Sequence, residues 1–369
     1  MSDAPHHWQV HPEVARAQTL DKAFYLDPAV QRLQYEQVLA RSWQWLSDLH
    51  GVQAAGSLQP ETLLPGSLNE PLLLARDAAG ALRCLSNVCT HRGNLLVQQP
   101  CQGAAQIRCG YHSRRFELDG RMAFMPEFQQ ALAFPRPCDD LPRLPLQDWG
   151  GQGFVALEEP LDSFDAFFGP AMQRLHWLPL QDFRLDASRS RDYEFDAHWA
   201  LYVENYLEGL HIPFVHPGLT QTLDLSRYRY ELHEWSNLQL AVARGDDEVA
   251  FDLPPEAAEH GQRIAAYYWW VFPNLMLNFY PWGLSLNQVV PVGPARTRVR
   301  FRSYVWKPEL LGGGGAGGAL DQVEMEDEAV VMTVQQGLRS RFYQHGRYSP
   351  TREQGVHHFH RLIGRAMGA

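Results

Sequence analysis

The spacing of apolar and polar residues predicts a helix close to the N-terminus. Asp27-Pro28 has the form of a helix N-cap followed by proline at the first helical position. Apolar residues then follow at positions 30, 33, 38 and 39, which suits one face of a helix. We therefore expect residues 1–42 to form a helical segment that packs on the C-terminal part of the chain.

The pattern changes at Trp43 and stays different to about residue 160. Short apolar runs, such as 72–75 and 153–157, are separated by Gly, Pro, Asn and Asp. The sequence Asp77-Ala78-Ala79-Gly80 is a hairpin signal between two of these runs. This pattern predicts a small all-β domain over residues 43–160.

Residues 161–369 mix helical and β-type patterns. Helical periodicity is found around 163–175 and 196–210, and β-rich runs at 266–272 and 297–305. A strong helix is predicted from about 320 to 343. Its apolar stripe comprises Val323, Val330, Val331, Val334, Leu338 and Phe342.

Composition narrows the class of protein. The 369 residues suffice for two domains, and a net charge of −10 argues against nucleic acid as a partner. No apolar run reaches transmembrane length, and the N-terminus has no signal-peptide pattern. The five cysteines require no disulfide framework, so we expect the reducing cytoplasm.

The most informative motif lies in the predicted β domain. Cys89-Thr90-His91 is followed after 17 residues by Cys109-Gly110-Tyr111-His112. A Rieske [2Fe-2S] cluster uses this ligand set, with two cysteines on one iron and two histidines on the other. A Cys2His2 zinc site is the alternative, but its spacing normally pairs Cys with Cys and His with His. We therefore predict a Rieske cluster bound by Cys89, His91, Cys109 and His112.

The residues around these ligands also resemble the cluster loops of Rieske proteins. The likeness covers 87–93 and 109–112. The usual second loop continues with Gly-Trp after the histidine, whereas this chain has Ser113-Arg114. The departure does not involve a ligand.

Two histidines later in the chain suggest a second metal site. His211 and His216 lie five residues apart, with Pro213 between them. Because proline breaks helices, we expect His211 at a helix end and His216 past a kink, both facing one cavity. Such a pair alone is more often an ordinary pair of core or surface histidines. However, a one-electron cluster needs an electron acceptor, and two histidines with one carboxylate form the usual non-haem Fe(II) site for O2 chemistry.

The carboxylate is expected on the helix predicted over 320–343. Asp327 falls within its apolar stripe, and Glu324, Glu326 and Glu328 are expected to point elsewhere. A carboxylate on a buried face must be paired or bind a metal. An ion pair with arginine is the alternative. The hypothesis is an iron bound by His211, His216 and Asp327.

Taken together, these motifs resemble the oxygenase component, or α subunit, of the Rieske non-haem iron ring-hydroxylating oxygenases. The motif at 205–211, Asn-Tyr-Leu-Glu-Gly-x-His, is most similar to that of the branch of choline, glycine betaine and carnitine monooxygenases. The resemblance implies an α+β protein: an all-β Rieske domain over 43–160 and a helix-grip catalytic domain over 161–369. The helix grip is an antiparallel sheet with a long C-terminal helix. The resemblance also implies the iron ligands His211, His216 and Asp327.

The same resemblance gives a role to Glu208. Most aromatic-ring dioxygenases have Asp three residues before the first iron histidine, whereas the quaternary-amine branch has Glu there. The family residue bridges the iron histidine to a cluster histidine of the next subunit, which implies a ring, most simply a homotrimer. The alternative is a helix-surface glutamate beside His211.

The expected activity is O2-dependent hydroxylation or oxidative demethylation of a small organic substrate. A quaternary amine is one candidate, since aromatic residues can form a cation–π cage. The candidates are Tyr202, Tyr206, Trp269, Trp270, Phe279, Tyr280 and Trp282. Most aromatic residues in strands, however, fill a core. An aromatic ring-hydroxylating dioxygenase, a Rieske electron carrier and a zinc-binding interaction protein are the alternative functions.

The partners follow from what the sequence lacks. It has no Gly-x-Gly-x-x-Gly dinucleotide fingerprint and no second cysteine cluster. We therefore expect a separate NAD(P)H-dependent flavin/iron–sulfur reductase to supply electrons. O2 and a small molecule are the other expected partners, with neither nucleic acid nor membrane.

Overall fold

The computed structural model describes residues 8–245, 248–313, 315–318 and 320–368. Of the predicted N-terminal segment, residues 1–7 lie outside this part. The chain divides into two compact units, Trp43–Pro160 on the one hand and Met1–Ser42 with Leu161–Ala369 on the other. Every helix in the described ranges is too short or too polar to span a bilayer.

The unit Trp43–Pro160 consists of short strands, because its apolar runs are short and interrupted by turn residues. Its antiparallel sheets have the orders β1-β10-β9, β2-β3-β4-β8 and β5-β6-β7. The strands are β1 Gln44–Asp48, β2 Leu58–Leu63, β3 Glu70–Arg76, β4 Leu82–Ser86, β5 Ile107–Arg108, β6 Arg115–Phe116, β7 Met122–Phe124, β8 Arg143–Leu144, β9 Leu146–Trp149 and β10 Gln152–Val155.

The turn between β3 and β4 confirms the predicted hairpin. The Asp77 carboxylate accepts the backbone N–H of Ala79 at 2.9 Å, and Asp77 N–H donates to the carbonyl of Ala81 at 3.0 Å. Aspartate at the start of such a turn replaces backbone partners that the turn removes. The core behind these strands includes Leu73, Leu85, Ile107 and Phe116, and also Cys89 and Cys109.

The other unit is built on a seven-stranded antiparallel sheet of order β11-β17-β16-β15-β14-β13-β12. The strands are β11 Arg184–Phe195, β12 Arg229–Leu232, β13 Ser236–Val242, β14 Ile264–Val271, β15 Leu275–Tyr280, β16 Gly283–Gly293 and β17 Arg296–Val305. The runs predicted at 266–272 and 297–305 correspond to β14 and β17, which confirms both.

The helices of this unit are α1 Ala23–Leu26, α2 Pro28–Gln34, α3 Phe164–Arg174, α4 Trp199–Tyr206, α5 Ile212–Val215, α6 Pro217–Thr222, α7 Leu320–Gly337 and α8 Gln354–Ala366. The predicted cap is confirmed, because the Asp27 carboxylate accepts the N–H of Ala29 at 2.8 Å. A sheet of this kind with a long C-terminal helix is the α+β arrangement expected for the region.

The helix α7 differs from its prediction in length and in its buried face. It ends at Gly337 rather than near 343, and Phe342, beyond its end, is 91% exposed. Its buried residues are Glu324, Val331 and Gln335, while Val334 is 44% exposed. The apolar stripe misidentified the buried face, since part of this helix faces a cavity lined by carboxylates as well as by apolar side chains.

The helix α8 comes unusually close to the chain segment that follows α4. A Cβ atom at Gly355 would lie 2.3 Å from the carbonyl oxygen of Leu207. Only glycine allows this approach. The close contact matters because Leu207 directly precedes Glu208, one of the residues predicted to be functional.

We expect Gly355→Ala to destabilise the protein by about 1–3 kcal/mol, since overpacking forces the backbone apart. Thermal unfolding measures the effect. Gly337→Ala is the matched control, because that helical glycine has open space around it. Its melting temperature should stay the same or rise, since alanine favours helix by up to about 1 kcal/mol. Equal melting temperatures for Gly355→Ala and wild type would contradict the close contact.

Candidate metal centres

Two tight loops carry the predicted cluster ligands. The first follows β4, and the N–H of Cys89 donates to the carbonyl of Asn94 at 2.9 Å. The second joins β5 to β6, and the N–H of Cys109 donates to the carbonyl of Arg114 at 2.8 Å. These backbone bonds close each loop and fix the position of its cysteine.

The four predicted ligands meet between the two loops. The thiols of Cys89 and Cys109 lie close enough for each to affect the pKa of the other. The imidazole rings of His91 and His112 have centroids 4.9 Å apart. The Nδ1 atom of His112 is buried and has no hydrogen-bond partner among the described residues. Two thiols, two imidazoles and an orphaned ring nitrogen fit a Rieske [2Fe-2S] cluster.

The environment of Cys109 favours its thiolate. Burial alone would raise the pKa of this thiol, but the backbone N–H groups of Tyr111 and His112 lower it, so the net pKa is below its usual value. The side-chain amide of Asn94 also donates to Cys109 Sγ, at 3.7 Å. Since the thiolate is the form that binds iron, these donors support a ligand role.

The departure at Ser113 has a backbone consequence. Ser113 has a φ of +60°, in the left-handed region that favours glycine. The family's usual glycine at this position therefore has a conformational reason. Here the Ser113 hydroxyl accepts a hydrogen bond from Arg108 Nη2 at 2.9 Å.

The second candidate centre is built around the one-turn helix α5. His211 is the N-cap of this helix and His216 its C-cap. Pro213 lies in the first turn, where proline is tolerated, so it does not break a helix between the two histidines as expected. The short helix nevertheless turns both rings to one side, with their centroids 5.0 Å apart.

Asp327 on α7 completes a compact group of three donors. Its Oδ1 lies 3.0 Å from His216 Nε2 and 3.5 Å from His211 Nε2. The two Nε2 atoms are 3.2 Å apart. Ligands about 2.1 Å from one ion and at right angles would be about 3 Å apart. The group therefore fits three adjacent positions around a metal ion, as in a facial triad.

Two glutamates orient these histidines. Glu208 Oε1 is 2.6 Å from His211 Nδ1, and Glu326 Oε2 is 2.7 Å from His216 Nδ1. Each carboxylate accepts the Nδ1 proton and leaves Nε2 free for a metal. Sequence reasoning identified Glu208 but wrongly expected Glu326 to point away. The Glu326 carboxylate reaches His216 although it is not part of the buried face of α7.

The nearby carboxylates and the burial of His216 shift its pKa in opposite directions. Burial lowers the pKa of His216, but the carboxylates of Asp327 and Glu326 outweigh it and raise the net pKa above the ordinary value. The hydrogen bond from His216 lowers the pKa of Glu326. In the metal-free protein, a proton therefore occupies this site at a higher pH than at an ordinary histidine.

A cavity of about 120 Å³ adjoins the triad. Its aromatic lining comprises Tyr202, Tyr206, Tyr228, Tyr268, Tyr280 and Phe301, and its carboxylates are Glu208, Glu324 and Asp327. Of the aromatic residues predicted for a cage, Tyr202, Tyr206 and Tyr280 line this cavity. Trp269, Trp270, Phe279 and Trp282 are buried elsewhere.

Strand alternation explains why some of the predicted aromatic residues do not line the cavity. Successive residues of a strand face opposite sides of the sheet. On β14 the lining residue is Tyr268, so its neighbour Trp269 faces away. On β15 the lining residues are Asn278 and Tyr280, so Phe279 between them faces away. The period of two was visible in the sequence, but the face that meets the cavity was not.

Glu324 is the least expected group in this cavity, because its position on α7 was predicted to point elsewhere. Its side chain is buried, and Oε2 accepts a hydrogen bond from the Tyr202 hydroxyl at 2.5 Å. Its Oε1 is buried without a hydrogen-bond partner in the described part of the chain. Burial raises the pKa of Glu324 well above its ordinary value.

Comparison with known proteins identifies two families. Residues 182–369 match the family described as ring hydroxylating alpha subunit, catalytic domain, and residues 50–143 match the Rieske [2Fe-2S] domain. Choline monooxygenase of Arabidopsis thaliana is 27% identical, covering 94% of this chain and 82% of the relative. The carnitine monooxygenase oxygenase subunit of Acinetobacter pittii is 27% identical, covering 97% of each. The solved structure of the quaternary ammonium Rieske monooxygenase CntA superposes with a TM-score of 0.78 at 23% identity, covering 99% of each chain.

We expect Glu326→Gln to weaken Fe(II) binding at the triad by about 10–100-fold, since an amide no longer holds the Nδ1 proton of His216 as strongly. Titration of the metal-depleted triad with Fe(II) under anaerobic conditions measures this. Asp327→Ala should abolish binding at this site, while the visible spectrum of the cluster survives. Glu309→Gln, an exposed residue, is the matched control. Wild-type affinity in Glu326→Gln would remove its orienting role.

Proposed function

Because this chain belongs to the ring-hydroxylating oxygenase α-subunit family and contains a Rieske domain, we propose that it oxidises a small organic cation, a quaternary amine. The chain is the oxygenase component of a Rieske non-haem iron oxygenase. Its cofactors are a [2Fe-2S] cluster and a mononuclear iron, and it requires O2 and a reductase. The observation that carries the substrate proposal is the composition of the cavity beside the triad.

The proposed ligands follow the geometry of the two centres. Cys89 and Cys109 hold one cluster iron, and His91 and His112 the other. His211, His216 and Asp327 hold the mononuclear iron, which supplies O2 chemistry when bound. Glu208 and Glu326 keep the protons of the iron-binding imidazoles on Nδ1. The cluster domain is 43–160, and the catalytic domain is 161–369 with the N-terminal segment packed on it.

The cavity suits a cation for three reasons. Tyrosine rings, among them Tyr206, Tyr268 and Tyr280, offer π faces to an ammonium group. Glu324 offers a carboxylate oxygen that no described residue occupies. No Lys or Arg lines the cavity among the described residues. A substrate carboxylate would lack a basic side chain to pair with, so the cavity favours a quaternary amine without an acid group.

Polarity weighs against an aromatic hydrocarbon as substrate. Amide side chains line the cavity, among them Asn205, Gln239 and Asn287. Gln239 and Asn287 already have protein partners, whereas Oε1 of Glu324 has none among the described residues. A hydrocarbon would leave that buried oxygen without a partner, which costs free energy.

The finer partner assignments are also part of the proposal. A separate NAD(P)H-dependent flavin/iron–sulfur reductase supplies the electrons, and the oxygenase is a homotrimer in the cytoplasm. The contacts of Glu208 are the argument for the proposed ring of subunits. Its Oε1 contacts His211, and its Oε2 accepts the backbone N–H of that residue at 3.2 Å. So held, Glu208 can accept a further hydrogen bond from His112 of a neighbouring subunit.

A substrate comparison tests the proposed specificity. With a surrogate reductase, we expect turnover of choline and weaker turnover of its neutral isostere 3,3-dimethylbutan-1-ol and of carnitine. Burial raises the pKa of Glu324, but a bound cation favours its ionised form, so Glu324→Gln should raise the KM for choline at least tenfold by removing that counter-charge. The KM for the neutral isostere should stay unchanged. Asp321→Asn, an exposed residue on the same helix, is the control. Preferred turnover of an aromatic hydrocarbon would contradict the proposal.

A single-turnover experiment tests the role of Glu208. In Glu208→Gln we expect both iron centres to load but the reduced cluster to reoxidise slowly, because an amide can present a donor where both imidazoles need an acceptor. The measurement is cluster reoxidation and product formation after O2 and substrate are added to the reduced enzyme. Wild-type rates would remove the bridging role and the main support for a trimer.

A further inference from the structure

Arg114 is a buried cation in the second cluster loop. It lies two residues after the ligand His112 and is 1% exposed. Its backbone carbonyl accepts the N–H of the ligand Cys109 at 2.8 Å. The guanidinium carbon lies 5.5 Å from the ring centre of Phe116 and 5.6 Å from that of Phe134. A positive charge is thus held beside two aromatic rings, on the residue whose backbone fixes the ligand Cys109.

Arg114 makes two hydrogen bonds through Nη2, whereas its buried Nε donor has no partner among the described residues. Nη2 donates to the backbone carbonyl of Asp139 at 2.9 Å and to its Oδ1 at 3.0 Å. Nε is buried and has no hydrogen-bond partner among the described residues. An unpaired N–H on a buried charged group is costly in free energy. The sulfur atoms of a cluster held by this loop are acceptors that hydrogen bonds tune.

The counter-charge of Arg114 compensates it only in part. The Asp139 side chain is 15% exposed, against 2% for Arg114. Water therefore screens the carboxylate more than the guanidinium. The guanidinium also lies close to the first ligand loop, because Thr90, between the ligands Cys89 and His91, donates its hydroxyl to the same Asp139 carbonyl at 2.7 Å.

We propose that Arg114 sets the reduction potential of the Rieske cluster by holding a fixed positive charge and a free N–H beside the second ligand loop. Reduction adds one electron to the cluster, and a nearby positive charge stabilises the reduced form. Asp139 counteracts this effect. The proposal rests on the cluster being bound by the four ligands proposed above. It concerns this chain in particular, because the resembling loops have tryptophan at this position.

The test is a potentiometric titration of the as-purified enzyme, with cluster reduction followed by EPR and circular dichroism. We expect Arg114→Gln to lower the equilibrium constant for cluster reduction at least tenfold. This corresponds to a decrease in reduction potential of about 59 mV for a one-electron couple. Asp139→Asn should change the potential in the opposite direction, upwards. Arg114→Lys should stay close to wild type because it keeps the charge. Arg115→Gln is the matched control, since that neighbouring arginine is partly exposed.

The opposite signs distinguish electrostatics from structure. Arg114→Gln and Asp139→Asn remove the same ion pair, so loss of loop structure alone would shift both potentials in the same direction. Shifts in one direction, or none, would overturn the proposal. If Arg114→Gln does not retain the cluster, Asp139→Asn decides: a raised potential supports the proposal, and an unchanged or lowered one refutes it. A wild type without a Rieske spectrum would instead contradict the cluster assignment.

Discussion

The hydrogen bond between a carboxylate and an imidazole is the interaction on which the catalytic region depends. Glu208 on His211 and Glu326 on His216 keep each proton on Nδ1, so that both Nε2 atoms face Asp327. Without these acceptors, a ring could rotate or carry its proton on the wrong nitrogen. The short helix α5 sets the two histidines at its ends, and α7 carries both Glu326 and Asp327.

The sequence was most informative where chemistry is local. The predicted cluster ligands lie in two short motifs whose spacing indicates their role. The two histidines are a weak signal alone and gained weight from the cluster motif and the family resemblance. Asp327 was selected through an apolar stripe that the structure corrects at Val334 and Phe342, and it lies beside both histidines. The stripe contained it because a face of period 3.6 can border a cavity as well as a core.

What the sequence could not give depends on how elements are oriented in space. Glu326 was missed because its contact with His216 is a tertiary one that the apolar pattern of α7 does not reveal. Tyr268 was missed because strand alternation does not reveal which side of the sheet borders the cavity. Tyr228 precedes β12, so no strand pattern applied to it. In the sequence, Arg114 was recognised only as a small departure from the usual second cluster loop, since its burial beside Asp139 is a tertiary property.

The helix α7 contributes both to the candidate metal centre and to the wall of the cavity, at neighbouring positions. Asp327 belongs to the triad, while Leu320, Val323 and Glu324 form part of the cavity wall one to two turns earlier. The wall can therefore change without a change in the ligand. Substitutions at 320, 323 and 324 offer an economical library for directed evolution of substrate range, in which most members should retain iron.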